Sequence, residues 1–239
     1  ATLARAMPVL LLSLALTACA PRQMLLGGIA DSLAAQGRST EDDLDLAREA
    51  SAYHLKLSEA ILRERPDHLA LAETVAAGFT QYAYAFVAFD ADRVEAQDAR
   101  AAERLRARAA RLYRRANGHA MAALETRHPG FIAALRADRT PAPRADEIGL
   151  YYWAAAAWGG WISLAKDDAE VLADLPLAIR VARAAWAALT AASSGAAPGA
   201  ISPRASMAAT MAACQPVLRS MAVKPVASSK RSTRSTWAM

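Results

Sequence analysis

Residues 40–66 read TEDDLDLAREASAYHLKLSEAILRERP. Small and apolar side chains recur along this stretch at three- and four-residue steps: Leu44, Ala47, Ser51, Leu55, Ser58 and Leu62. The spacing predicts an amphipathic helix that buries one stripe against a partner helix. Arg48, Glu59 and Arg63 fall outside the stripe and are predicted to stay in solvent. Pro66 ends the helix, because proline cannot continue it.

The rest of the body, residues 39–190, has the same helical character. Alanine is abundant, strong strand formers are sparse, and no alternating segment of strand length occurs. Further helices are predicted at about 67–95, interrupted at most at Gly78, and at about 97–126. The Asn117-Gly118 pair leaves open whether the latter is one bent helix or two. Thr40 is the predicted N-cap of the first helix. The predicted fold class is all-α.

One sequence phrase occurs twice in this body, 63 residues apart. Ala60-Ile61 and Ala123-Leu124 each precede a proline by four residues, at Pro66 and Pro129. Such a phrase closes the helix pair of a tetratricopeptide-type unit, which is about 34 residues long, so the offset is close to two units. The pattern predicts tetratricopeptide-like stacked helical hairpins.

The N-terminal segment resembles a lipoprotein signal. The apolar run from Met7 to Leu16 is half of the roughly 20 residues that a spanning helix needs. It closes on Leu16-Thr17-Ala18-Cys19, a lipobox pattern. We therefore predict a signal peptide at residues 1–18, lipid attachment at Cys19 and a linker over 19–38. The alternatives are an ordinary cleaved signal, with Cys19 incidental, and a mistranslated upstream stretch.

Basic residues are concentrated at the C-terminus. The chain has 28 Lys and Arg against 23 Asp and Glu, but residues 191–239 carry six of the basic residues and no acidic one. Residues 20–190 have a net charge of −2 and no nucleic-acid reading motif, so nucleic acid is not a predicted partner. Residues 191–239 read either as a disordered basic tail or as the product of a shifted reading frame, and no function is assigned to them.

Two sets of residues are candidates for binding. Aromatic side chains at helical spacing predict the lining of an amphipathic pocket: Tyr82, Phe86, Phe89, Trp153, Trp158 and Trp161. Five arginines on one helical face predict docking of an acidic partner surface or of anionic lipid headgroups: Arg100, Arg104, Arg108, Arg111 and Arg115. The alternatives are that the aromatic residues belong to the core and that the arginines form an ordinary solvated face.

Catalytic and metal-binding patterns are not found in the sequence. The four histidines lack the spacing of zinc ligands, and no nucleophile elbow, dinucleotide fingerprint or P-loop occurs. The sequence therefore predicts no enzyme, metal or cofactor.

Two segments carry a family resemblance. Residues 81–87, QYAYAFV, and residues 151–164, YYWAAAAWGGWISL, resemble the T-component lipoproteins of tripartite ATP-independent periplasmic (TRAP) transporters. The resemblance covers about residues 16–187. It implies a tetratricopeptide-like lipoprotein that faces the periplasm and associates with the transporter's substrate-binding subunit.

The resemblance also implies homotrimers and a pore that admits a hydrophobic ligand. Ala20, which follows the lipobox cysteine, slightly favours the outer membrane over the inner one. The alternative function is a general scaffold lipoprotein for envelope protein assembly.

Overall fold

Two helices joined by a short turn open the body of the protein. In the computed structural model, which describes residues 22–37 and 41–194, α2 spans Leu44–Glu64 and α3 spans Leu69–Tyr82. The N-cap of α2 is Asp43, whose side chain accepts hydrogen bonds from the backbone of Asp45 and Leu46. The predicted cap, Thr40, lies outside the described residues.

The helix that follows α2 is not interrupted at Gly78. It passes from α3 into a π-helix at Ala83–Ala88 and then into α4 at Phe89–Val94. Gly78 instead serves packing: a Cβ atom there would collide with the side chain of Leu55 on α2.

The segment around Asn117-Gly118 is a single helix. α5 spans Ala99–Arg127 without a break, so the prediction of one helix rather than two is the correct alternative.

Both prolines of the repeated phrase, Pro66 and Pro129, follow a helix end, as predicted. At the first end, the Arg65 N–H donates to the Ile61 carbonyl, and at the second, 63 residues later, the His128 N–H donates to the Leu124 carbonyl.

The remaining helices complete an all-α structure around α7. They are α6 at Phe131–Arg136, α7 at Ile148–Leu164, α8 at Ala169–Ala173 and α9 at Leu175–Ser194. α7 is buried on nearly all sides and packs against α3, α5 and α9. The described residues contain no strand and lie in one compact unit, which confirms the predicted fold class.

A further helix precedes α2. Residues 22–36, assigned above to a linker, form α1. Its buried side chains are Ala30, Leu33 and Ala34, and the Thr74 hydroxyl of α3 donates to the Ala34 carbonyl at 3.3 Å.

One stretch of the described residues, Ala169–Ala192, is long and apolar enough to cross a membrane by length and composition. A core helix of a soluble protein passes the same test. Here a turn at Asp174 divides the stretch into α8 and α9, and α9 buries Val181, Ala185 and Leu189. The predicted signal peptide, Cys19 and residues 195–239 lie outside the described part of the chain.

Candidate functional site

The predicted aromatic residues fall into two groups. Tyr82 and Trp161, from α3 and α7, both pack on a buried cluster that contains Val87 and Tyr113. Tyr82 also makes an edge contact with Phe86, with ring centroids 5.3 Å apart. Phe89, by contrast, is 57% exposed, because it follows the π-helix and lies outside this packing.

The second group lies on α7 and is buried in the core of the protein. Trp153 and Trp158 belong to the core, and Trp153 makes an edge contact with Tyr152. The indole Nε1 of Trp158 is buried and has no hydrogen-bond partner among the described residues. A buried N–H without a partner is costly, so this atom marks a place where a ligand or water would be stabilised.

Two open clefts lie elsewhere on the surface. One, of about 380 Å³, is lined by α1 residues, among them Met24, Leu25 and Ile29. The other, of about 520 Å³, is lined by α4 and α5 residues that include Asp90, Arg93 and Leu105. Neither is lined by the six predicted aromatic residues.

The five predicted docking arginines differ in their contacts. Arg104 lies 4.0 Å from Asp98, a long ion pair between two exposed side chains. Arg100, Arg108 and Arg111 are exposed, and no ion pair within 4.0 Å joins them to another described residue. Arg115 is different, because its guanidinium binds the carboxylate of Glu59 on α2.

Glu59 is the centre of a buried charge cluster, so the prediction that it stays in solvent is wrong. It is 3% exposed, and besides Arg115 it accepts from Lys56 Nζ at 2.7 Å and lies 2.9 Å from His119 Nε2. Burial alone would raise the pKa of Glu59, but the hydrogen bonds from Arg115, Lys56 and His119 outweigh it and hold that pKa at about 2. The Arg115 guanidinium also lies over the ring of Phe79. Arg115 thus joins α5 to α2 and α3 and is not free to dock a partner.

A second buried carboxylate, Glu147, stands at the start of α7. It is fully buried, and it accepts from Arg127 Nε at 3.1 Å and from the Arg144 backbone N–H at 2.9 Å. Its other close neighbour is His128 Nε2 at 2.9 Å. Burial opposes ionisation here, yet these hydrogen bonds lower the pKa of Glu147. The cluster fixes the loop before α7 to the end of α5.

The π-helix is held from α2 by Arg48. The guanidinium donates to Asp90 at 2.6 Å and lies 4.9 Å from the centre of the Phe86 ring. The hydrogen bond with Arg48 lowers the pKa of Asp90, and the charge of Arg108 adds to that effect. π-helical turns often occur at functional sites, and this one packs against Ala109 and Tyr113 of α5.

Comparison with known proteins assigns the chain to a family. Residues 40–197 match the TRAP transporter T-component family. The chain belongs to this family. The match begins at the predicted N-cap of α2 and extends past residue 187, where the sequence resemblance described above ends.

The family is named for a component of TRAP transporters. One curated relative of this T-component is an uncharacterized protein of Treponema pallidum (strain Nichols), 36% identical over 91 residues. The aligned part is 38% of this chain and 28% of the relative, so the chain spans less than a third of that protein's length.

Proposed function

We propose that this T-component is anchored by lipid at Cys19, faces the periplasm and binds the substrate-binding subunit of its TRAP transporter. The family match supports the role in transport, and the lipobox Leu16-Thr17-Ala18-Cys19 supports the anchor. The docking face is the exposed surface of α5 that carries Arg100, Arg104, Arg108 and Arg111.

This face of α5 is chosen because its arginines differ in their ion pairs. Arg115 is held by Glu59, whereas Arg108 and Arg111 are exposed and have no ion-pair partner in the described ranges. Exposed guanidinium groups that have no ion-pair partner in their own chain are solvated by water. They are therefore available to bind carboxylates of a second protein. The docking face therefore excludes Arg115.

Charge reversal tests the docking face. The double variant Arg108→Glu/Arg111→Glu is expected to weaken binding of the full chain to the substrate-binding subunit by about tenfold or more, with the larger effect at low salt. Binding is measured by biolayer interferometry at two salt concentrations.

The matched control is Arg136→Glu/Arg139→Glu, which makes the same change in charge at exposed positions of α6 and the loop after it. If both double variants weaken binding equally, net charge and not this face governs the interaction. If neither does, the docking face is elsewhere.

A hydrophobic ligand is the second part of the proposal. It binds beside α7, where Trp158 lies in the core and Tyr82 and Trp161 pack on the cluster of Val87 and Tyr113, and the Trp158 N–H binds its polar end. Trp158→Phe removes that donor while keeping an aromatic ring. We expect weaker binding of a fluorescent long-chain fatty acid. Any loss of stability comes from the smaller ring, since the lost N–H has no protein partner.

The control for this experiment is Trp186→Phe, a change at an exposed indole of α9. Unchanged fatty-acid binding in Trp158→Phe would contradict the assignment of Trp158.

A homotrimer also belongs to the proposal, and sedimentation equilibrium of the detergent-solubilised full chain measures its mass.

A further inference from the structure

α1 is held firmly on the body of the protein by one side. Ala30, Leu33 and Ala34 are buried there, and Arg65 Nη1 donates to the Gln23 carbonyl at 3.2 Å. Arg22 pairs with Glu64 at 2.7 Å near the start of the helix. The orientation of α1 relative to α2 is therefore fixed by packing and by contacts at its N-terminal end.

The opposite side of α1 is apolar and exposed. Met24 is 79% exposed, Leu25 is 67% exposed, and Ile29 lies on the same side one turn later. With Gly28 and Ser32 they line the open cleft of about 380 Å³. In a helix these positions point away from residues 30 and 34, and the exposed carboxylate of Asp31, which lies 3.1 Å from His68 Nε2, borders this apolar side. Adjacent exposed Met, Leu and Ile side chains mark a surface that contacts another apolar phase.

The position of Cys19 indicates that this apolar phase is a lipid membrane. Only two residues lie between Cys19 and Arg22, so the chain allows at most about 11 Å between the lipid-bearing residue and the first described turn of α1. Met24 and Ile29 are five residues apart, which is about 7.5 Å along the helix axis. The apolar side chains thus lie within reach of the membrane surface into which acyl chains on Cys19 would insert.

We infer that the Met24, Leu25 and Ile29 face of α1 docks into the interfacial region of the lipid bilayer and orients the protein on it. This rests on the lipid anchor of the proposed function. The nearby charges are paired, Arg22 with Glu64 and Arg65 with Asp67, so apolar burial and not attraction to anionic headgroups stabilises the contact. A short apolar face next to an acyl anchor is sufficient, because the anchor already supplies most of the membrane affinity.

The test places an environment-sensitive fluorophore on α1 of the full chain. Leu25→Cys is made together with Cys214→Ser, and the protein is produced in a bacterium that processes lipoproteins. Labelled protein is reconstituted into phosphatidylcholine vesicles with or without spin-labelled lipid. Mass spectrometry of the N-terminal peptide reports separately whether Cys19 carries fatty acid. The matched control is Trp186→Cys, at a 61% exposed position on α9.

We expect blue-shifted emission at position 25, loss of most of its intensity with spin-labelled lipid, and little change at position 186. Adding anionic phosphatidylglycerol should leave this result unchanged. An acylated Cys19 with equal quenching at both positions would overturn the inference and leave the anchor intact. A blue shift without quenching by lipid would overturn it in favour of a protein contact. An unmodified Cys19 would overturn both the anchor and the inference.

Discussion

At the scale of single residues, Glu59 connects three helices. Its carboxylate lies on α2, Arg115 and His119 come from α5, and Phe79 of α3 stacks on both of these side chains. Burial of a carboxylate costs free energy unless hydrogen bonds compensate, and here several cationic donors do so. The cluster consequently depends on the ionised form of Glu59.

Removing that charge should destabilise the protein. Glu59→Gln leaves Arg115 and Lys56 without their anion, and we expect a loss of about 3 kcal/mol in the free energy of unfolding at pH 7, the lower end for a broken buried pair. The lower end applies because the Arg115 side chain is 39% exposed and water solvates it in part. Urea denaturation followed by circular dichroism measures the change.

The pH dependence of the same variant has a definite sign. The folded pKa of Glu59 is about 2 and its ordinary value is 4.5, so its stabilising effect is complete above about pH 4.5 and declines as pH falls towards 2. The difference between wild type and Glu59→Gln should narrow over that window. Glu64→Gln, at an exposed ion pair with Arg22, is the control and should cost less than about 1 kcal/mol. A constant difference from pH 7 to pH 2 would contradict the role given to Glu59.

Sequence reasoning fails to predict which individual charged residues are buried. A Glu on α2 is assigned to solvent because charged side chains are rarely buried without a partner. The partner here, Arg115, lies 56 residues later, and only the tertiary fold brings it to α2. The same limit applies to Glu147, which local sequence gives no reason to single out. The predicted arginine stripe is a real helical face, but spacing alone does not separate Arg115 from the exposed members.

At the scale of elements, the close approach of α5 and α7 depends on Gly160. A Cβ atom at Gly160 would lie 2.6 Å from the Tyr113 ring, too near for the two helices to keep their distance. Gly160→Ala should therefore destabilise the protein by roughly 1–3 kcal/mol, even though Ala is the better helix former. Thermal unfolding measures the effect.

Gly118 provides the matched control, since it lies within α5 and a Cβ atom there would meet nothing within 4 Å. Gly118→Ala should raise stability by up to about 1 kcal/mol through helix propensity alone. The same sign of change in both variants would refute the packing role of Gly160.

Helix ends were more predictable than helix interiors. Pro66 and Pro129 act locally, by excluding continuation of a helix, so the sequence locates the ends of α2 and α5. The π-helix at Ala83–Ala88 has no comparable local signal, because its residues are ordinary helix formers and its contacts with Arg48 are tertiary. Phe89, which follows the π-helix, lies outside the aromatic packing that regular helical spacing predicts.

At the scale of the whole molecule, the proposed attachment to the membrane depends on one atom, the sulfur of Cys19. Cys19→Ser removes the acceptor for lipid, and we expect the protein to leave the membrane fraction. Centrifugal fractionation followed by immunoblotting measures the distribution. A protein that stays in the membrane fraction after this change, including after a carbonate wash, would refute lipid anchoring at Cys19.

We propose that the chain binds the substrate-binding subunit of a TRAP transporter, and affinity purification tests this binding. The full chain is purified from detergent-solubilised envelopes of cells that express the transporter, and its partners are identified by mass spectrometry. We expect the substrate-binding subunit to be enriched with the wild-type chain and lost with Arg108→Glu/Arg111→Glu. Enrichment of envelope-assembly factors without any TRAP subunit would contradict it and support the general scaffold function.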